Sequence, residues 1–474
     1  MKKFIVFSMV LFSGTVAFAQ VKIERSWGKK GYDAAFCAAA TNDGGYIIGG
    51  LTQSQEDTVG DIIVIKTTSH IDTMWTLKYG GSRLEGANSI IQTADGGFMV
   101  SGHTEDFGAR DCDAFMMKLD KNGNREWFKV YGGDYDDISE GVIELPTGEY
   151  VIAGITASYG PGNGAIRHTY FIKTNSRGDT IWTRWYGGTK KDYGYSIASM
   201  VNGGFFAVGF SSSWGQGEDD AWLLQLKDNG DTLRTRLYKN GGNSRFLQII
   251  STIDKGYIIA GYTSTAISGT LQGWAVKLDA NGNQLWEKTY GSPAYNSTFS
   301  GVTQLPNGNL IFAGTSDQVD STGNASIVTT DANGTLISNS VYGGSHSYAR
   351  CIASQGNNSY LAAGLTDQAG DQAGDLYYLE MDNTLSAIAQ AHPESPYMYP
   401  NPVKDQLHIL LAPSQAGSAN RIDIINIHGQ IVLSKQPAAA SIITINVKDL
   451  IIGTYTFRIF SPDGKMTTGK FIKE

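Results

Sequence analysis

The chain has 474 residues, with Gly at 58 positions, 17% charged and 11% aromatic side chains, and a net charge of −8. That length suits one large repeat domain joined to a small one, and the apolar and aromatic content excludes a disordered chain. The acidic balance, with no run of Lys and Arg, excludes the basic face that nucleic acid requires.

The N-terminus reads as a secretory signal, residues 1–19. Lys2 and Lys3 supply the positive start, FIVFSMVLF (4–12) the apolar segment and AFA (17–19) a small-x-small cleavage site after Ala19. The apolar run is far short of the ~20 residues that span a bilayer. No other segment is longer, so an exported mature protein without a transmembrane segment is expected. Cys37, Cys112 and Cys351 are an odd count and too few for a disulfide framework.

Self-similarity then dominates. YGG or a close variant recurs at Tyr79, Tyr131, Tyr186, Tyr238, Tyr290 and Tyr342, in steps of 52, 55, 52, 52 and 52 residues, with a worn copy at Trp27. A turn such as ADGGF (94–98) and a strand end such as SGHT (101–104) follow each marker. The second unit reads as strand A (87–94), strand B (98–104), strand C (113–120) and strand D (125–131), with Asp-Gly and Asn-Gly hairpin turns. A period near fifty residues with four antiparallel strands implies a β-propeller blade, and seven units imply a seven-bladed β-propeller over residues 20–385. The last unit lacks strand D, and VKIERSW (21–27) is a strand D without a unit, so the N-terminal strand is expected to close the ring.

Turns A–B and C–D are short and uniform. Connections D–A and B–C vary and share the opposite face, where a rigid scaffold would carry function. Binding candidates there are Glu85, Asp134, Asp136, Asp137 and Glu140, as an acidic rim or as carboxylates facing across a channel mouth, together with Trp214. Other signals have plainer readings. RGD (177–179) is a C–D turn, and DKNGN (120–124) and DANGN (279–283) miss the calcium-loop template. Asp367, Asp371 and Asp375 offer oxygen ligands on a B–C loop, but Asp375 matches Asp61, Asp113 and Asp220 at the start of strand C, which points to a repeated structural hydrogen bond. His103, His168 and His346 share the variable face without short metal-ligand spacing. Cys37 and Cys351 hold one strand-A position in units that adjoin across the closure, as free buried thiols or a disulfide. Trp75, Trp127, Trp182 and Trp286 on strand D pack between blades. No cofactor or metal site is expected.

After a linker (386–398) the markers vanish, and alternating apolar residues with HGQ, IIGTY and PDGK turns give a small Ig-like β-sandwich over residues 399–474. This segment resembles the type A C-terminal sorting domain of the type IX secretion system of Bacteroidota. Asn401 and Pro402 with 407–409, INIHGQ with Gly429, LIIGTY with Gly453 and Tyr455, and the basic end GKFIKE stand in the family's order. The resemblance implies passage through the periplasm, transport across the outer membrane by the secretion machinery, and frequent removal of the domain with cargo released or surface-attached. The passenger is read as a monomeric, non-catalytic module binding a glycan or protein. The alternatives are a polysaccharide hydrolase or lyase with carboxylates at the channel mouth, and a purely structural surface component.

Overall fold

The structure, a computed structural model, describes residues 20–27, 31–53, 59–108, 110–215, 219–238, 242–264, 269–318, 323–343, 346–356, 358–367, 374–382, 397–399, 403–410, 421–427, 429–436, 442–460 and 466–474. The signal segment, most of the linker, Asp371, Asn401 and Pro402 lie outside these residues. All regular elements described are strands.

In the second unit the strands are Glu85–Gln92, Phe98–Thr104, Asp113–Leu119 and Arg125–Tyr131, paired antiparallel in chain order. The two middle strands are buried almost throughout, and the last is exposed at its start and half-buried up to Tyr131. Strand A starts and stops two residues earlier than the expected 87–94. The turn takes over at Thr93, whose N–H donates to Gly97 O at 2.9 Å. Gly96 sits at φ +83°, a conformation open to glycine, and Asp95 accepts from Gly97 N at 2.9 Å. Lys118 reaches back from strand C to Asp95 at 2.8 Å. Burial alone would raise the Asp95 carboxyl, but Lys118 and Thr93 hold it at about 2. Lys66–Asp43 and Lys277–Asp254 repeat this clasp, each at 2.9 Å.

Seven such four-stranded sheets occur between residues 20 and 382, resembling propeller blades. The innermost strand of each touches that of the next, and strand Tyr348–Ser354 touches strand Asp33–Ala40, so the order is cyclic. The seventh sheet takes its outer strand from the other end of the chain: Gln20–Trp27 pairs antiparallel with Asp375–Asp382, from Gln20↔Asp382 to Trp27↔Leu376.

The repeated markers are the contacts between sheets. The Tyr131 hydroxyl donates to Gly178 O and that of Tyr290 to Gly334 O, both at 2.7 Å, and Tyr186 donates likewise to Gly230 O. Trp127 lies beneath Gly178, where a Cβ would stand 2.8 Å from the ring. The RGD turn is therefore a clamp point on its neighbour. The first glycine of the YGG marker is required by two carboxylates. A Cβ on Gly80 would stand 1.7 Å from Asp61 Oδ1 and 2.7 Å from Glu85 Oε2, and Gly132 meets Asp113 and Asp137 in the same way.

Contacts divide the chain into units of residues 1–384 and 385–474. The second unit holds a three-stranded sheet, in the order Tyr397–Tyr399, Gln406–Leu410, Ile442–Asn446. Its four-stranded sheet runs Ile431–Lys435, Arg421–Ile425, Gly453–Phe460, Met466–Lys473. Leu407 and Ile409 from one sheet and Ile422, Ile424, Phe457 and Phe471 from the other share one buried core. The first strand begins at Tyr397, two residues inside the expected linker.

The Gly80 geometry makes a test. Gly80→Ala should destabilise by about 1–3 kcal/mol in urea unfolding, the range for overpacking a closely packed site. A change within about 0.5 kcal/mol, the level of an ordinary surface substitution, would contradict it.

Candidate functional site

Every innermost strand has one residue more than its partner. The pairing register slips between Ala35 and Cys37, Ala87 and Ser89, Ser139 and Gly141, Gly194 and Ser196, Phe246 and Gln248, Phe299 and Gly301, and Ala349 and Cys351. The extra residues are Phe36, Asn88, Glu140, Tyr195, Leu247, Ser300 and Arg350. A β-bulge bends its strand and re-aims a side chain. The preceding residues are buried, whereas these seven are half-buried or, for Arg350, exposed. All seven line one cavity of about 1140 Å³ enclosed by the innermost strands.

The next position has a different task. Ser89 Oγ accepts from Val142 N at 3.2 Å, Ser196 Oγ from Ile249 N at 3.2 Å, and Gln248 Oε1 from Val302 N at 2.6 Å. These bonds satisfy backbone donors on the unpaired inner edge of the neighbouring sheet. Cys37 and Cys351 hold this position as free, buried thiols. Burial pushes the Cys351 thiol up to about 12 and raises Cys37 as well.

The ring is chemically uneven. Burial pushes the Glu140 carboxyl up to about 7. Beside it the Asn88 amide donates to Ser139 O at 3.0 Å, which leaves its carbonyl oxygen to accept. His103 also lines the cavity, and burial lowers its pKa to about 4, so the ring is neutral at pH 7. Its Nδ1 is shielded and has no hydrogen-bond partner among the described residues. Burial raises the Tyr195 phenol, the Arg245 charge opposes the rise, and Glu140 and Tyr262 add to it. The Arg350 guanidinium lies over Phe36, 5.3 Å from the ring centroid. Glu140 is in the third sheet and Arg350 in the seventh, so they stand on opposite sides of the cycle. Glu140, Tyr195, Ser300 and Arg350 make no side-chain hydrogen bond among the described residues.

Of the expected binding residues, Glu140 alone lines this cavity. Glu85 and Asp137 are fully buried, which corrects their placing on a solvated rim. Each opens strand A: Glu85 Oε1 accepts from Thr104 at the end of strand B at 3.2 Å, and Asp137 Oδ2 accepts from Gly133 N at 2.8 Å. The other sheets repeat the tie as Asp33–Thr52, Asp192–Ser211, Ser244–Thr263 at 2.8 Å and Ser347–Thr366 at 2.7 Å. Asp134 is exposed, Asp136 pairs with Arg167, and Trp214 is exposed and edge-on to Trp222 at 5.0 Å. His168 is buried against Trp185 with Nε2 at 2.9 Å from Pro161 O, and His346 is exposed. Among the described residues no three His, Cys, Asp or Glu side chains converge as metal ligands. The Asp120 and Asp279 carboxylates are taken by their own turn amides at 2.8–2.9 Å. The other six ring residues escaped the sequence reading, although their signal was present. The seven ring residues follow the marker aromatic by nine residues in five units, ten at Ser300 and eight at Arg350, and differ in every unit.

In the second unit Gly429, at φ +79°, donates to Asn426 O at 3.0 Å and closes the tight turn expected there. Tyr455 is buried, donates to Ile451 O at 2.6 Å and stacks on Phe471 at 5.5 Å. Gly453 pairs with Lys473 at the edge of the same strand pair, and Val403 N donates to Ile472 O at 2.7 Å.

Residues 397–474 match the family model of the secretion system C-terminal sorting domain. No curated protein matches the sequence. Among solved structures the chain is similar to the WD40 domain of Neurospora crassa Pan2, at 12% identity, over 74% of this chain and 89% of that one, with a TM-score of 0.47. It is similar to the extracellular domain of a putative one component system from B. thetaiotaomicron, at 10% identity, over 97% of this chain and 58% of that one, with a TM-score of 0.45. Sqt1 from Chaetomium thermophilum is similar at 11% identity, over 73% of this chain and 83% of that one, with a TM-score of 0.42.

Glu140 titrates near 4.5 when unfolded and near 7 when folded. The stability this shift contributes is complete below 4.5 and is lost as pH rises through 7. Glu140→Gln should therefore become more stable relative to the parent between pH 5 and 8, read from urea midpoints. Parallel pH dependences would contradict the burial of this carboxyl.

Proposed function

We propose that a chain whose residues 397–474 are a secretion system C-terminal sorting domain is a type IX cargo. Its first unit, in this reading, is a seven-bladed β-propeller and its second an Ig-like sandwich. The signal segment takes it to the periplasm, and the sorting domain presents it to the secretion machinery for transport to the outer surface or the medium. The passenger is a monomeric, non-catalytic binding module. The observation that supports binding is the bulge ring, whose polar side chains line a large cavity with their hydrogen-bonding capacity unspent. Polar groups that a native fold buries for structural reasons are mostly paired, as the strand A–strand B ties and the lysine clasps are here. A set left free in a concave site is the usual mark of a ligand site. The ligand is a glycan or a protein.

One observation favours the catalytic alternative. A carboxyl titrating near 7, as Glu140 does, suits a general acid. If the protein is a polysaccharide hydrolase or lyase, Glu140→Gln abolishes turnover while leaving binding.

Two experiments test these readings. Deleting residues 399–474 should hold the protein in the periplasm, by fractionation and immunoblot; normal secretion of the truncated chain would refute the export route. Screening the full chain against arrayed glycans and surface proteins should give ligands whose binding Tyr195→Ala weakens at least tenfold. Ligands insensitive to that change would place recognition elsewhere.

A further inference from the structure

The bulge ring says more than that something binds. Five of its seven side chains carry hydrogen-bonding groups, and two, Phe36 and Leu247, are apolar. Asn88, Glu140 and Tyr195 occupy consecutive sheets and form one polar arc, and Nδ1 of His103, which also lines the cavity, has no partner among the described residues. Arg350 stands opposite, and among the described residues no acid pairs with it. Its guanidinium is held over Phe36. A planar fork fixed on an aromatic face is preorganised for a carboxylate, which it takes by two parallel hydrogen bonds. By contrast Arg167 is engaged by Asp136 and Arg245 by Asp219.

An extended polypeptide would instead need a free sheet edge and alternate side-chain pockets. The inner edges do not offer one, because each is broken by a bulge, and Ser89, Ser196 and Gln248 occupy amides on three of them. The cavity of about 1140 Å³ exceeds the roughly 300–1,000 Å³ of a typical small-ligand pocket, which suits an oligomer.

Resting on the reading of the channel as a binding site, we propose that its ligand is an acidic glycan, a uronic-acid oligomer whose carboxylate is taken by Arg350 while Asn88, Glu140, Tyr195 and Ser300 hydrogen-bond its hydroxyls. Arg350 is then the specificity determinant for the charged sugar, and the polar arc supplies affinity for the sugar ring.

The test uses the full chain in calorimetric titrations. The probes are galacturonate, glucuronate and mannuronate oligomers, the methyl ester of each, neutral galactose and glucose oligomers, and a peptide of matched length with a free C-terminal carboxylate. At least one uronate should bind ten times or more tightly than its methyl ester. Arg350→Ala should remove that difference, Arg350→Lys should retain part of it, and thermal unfolding of both variants should match the parent. Equal binding of acid and ester, or of neutral and acidic oligomers, overturns the acidic-glycan proposal. If Tyr195→Ala still weakens that binding, the channel reading survives; if it does not, that reading falls too. Binding of the peptide alone, or of none of the probes, also overturns the proposal.

Discussion

A four-stranded antiparallel sheet ends in an unpaired strand on each side, and a ring of such sheets turns seven of these edges inward. Unpaired amides and carbonyls in a narrow interior are costly. The molecule meets the cost by cross-bonding: a side chain one residue past the bulge, Ser89, Ser196 or Gln248, reaches the inner-edge amide of the next sheet. The same crowding explains the small residues at that position in other units, Gly141, Gly301 and the two cysteines. The outer edge of the last sheet is handled by chain topology, with strand Gln20–Trp27 laid against Asp375–Asp382. Cyclic packing thus depends on contacts between sheets as much as on pairing within them.

These constraints separate two kinds of position. The parts of the unit that repeat are structural contacts: between sheets, the tyrosine hydroxyl on the next turn glycine and the tryptophan beneath it; within a sheet, the lysine clasp on the turn aspartate and the side-chain tie between strands A and B. Each is a buried polar or aromatic contact whose loss leaves an unsatisfied group. The bulge residue has no such repeated duty, since the Asn88 bond to Ser139 O and the Arg350–Phe36 contact belong to single units. It is held in place by its neighbours and is free to vary, and among the seven units it takes seven identities. A rigid scaffold with one side chain per sheet that varies from unit to unit, all lining one cavity, is how a repeat fold acquires a specific site.

The repeat itself was legible because its markers are structural. Period, four strands per unit, turn chemistry, the orphan N-terminal strand and the inter-blade tryptophans could all be read from residues that recur. The site was legible only in part. Glu140 was singled out with an acidic string, yet Glu85 and Asp137 from the same kind of string turned out to be buried ties, because an acid at the start of strand A looks alike whether it faces a channel or a threonine. Phe36, Asn88, Tyr195, Leu247, Ser300 and Arg350 were overlooked because a search for similarity discards the column that does not repeat. A one-residue bulge has no compositional signature of its own, and here the pairing register located it. In the second unit Gly429 sits in a tight turn and Tyr455 stacks on Phe471; the HGQ turn was legible, whereas Tyr455 was named only through the family resemblance.

The central claim is that recognition lies on the bulge ring. A crystal structure of the full chain soaked with a uronate oligomer tests it most directly. The account predicts sugar density inside the channel, with a carboxylate paired to the Arg350 guanidinium and hydroxyls within hydrogen-bond distance of Glu140 and Tyr195. Density confined to the outer strands or to the loop carrying Trp214, with an unchanged channel, would contradict it.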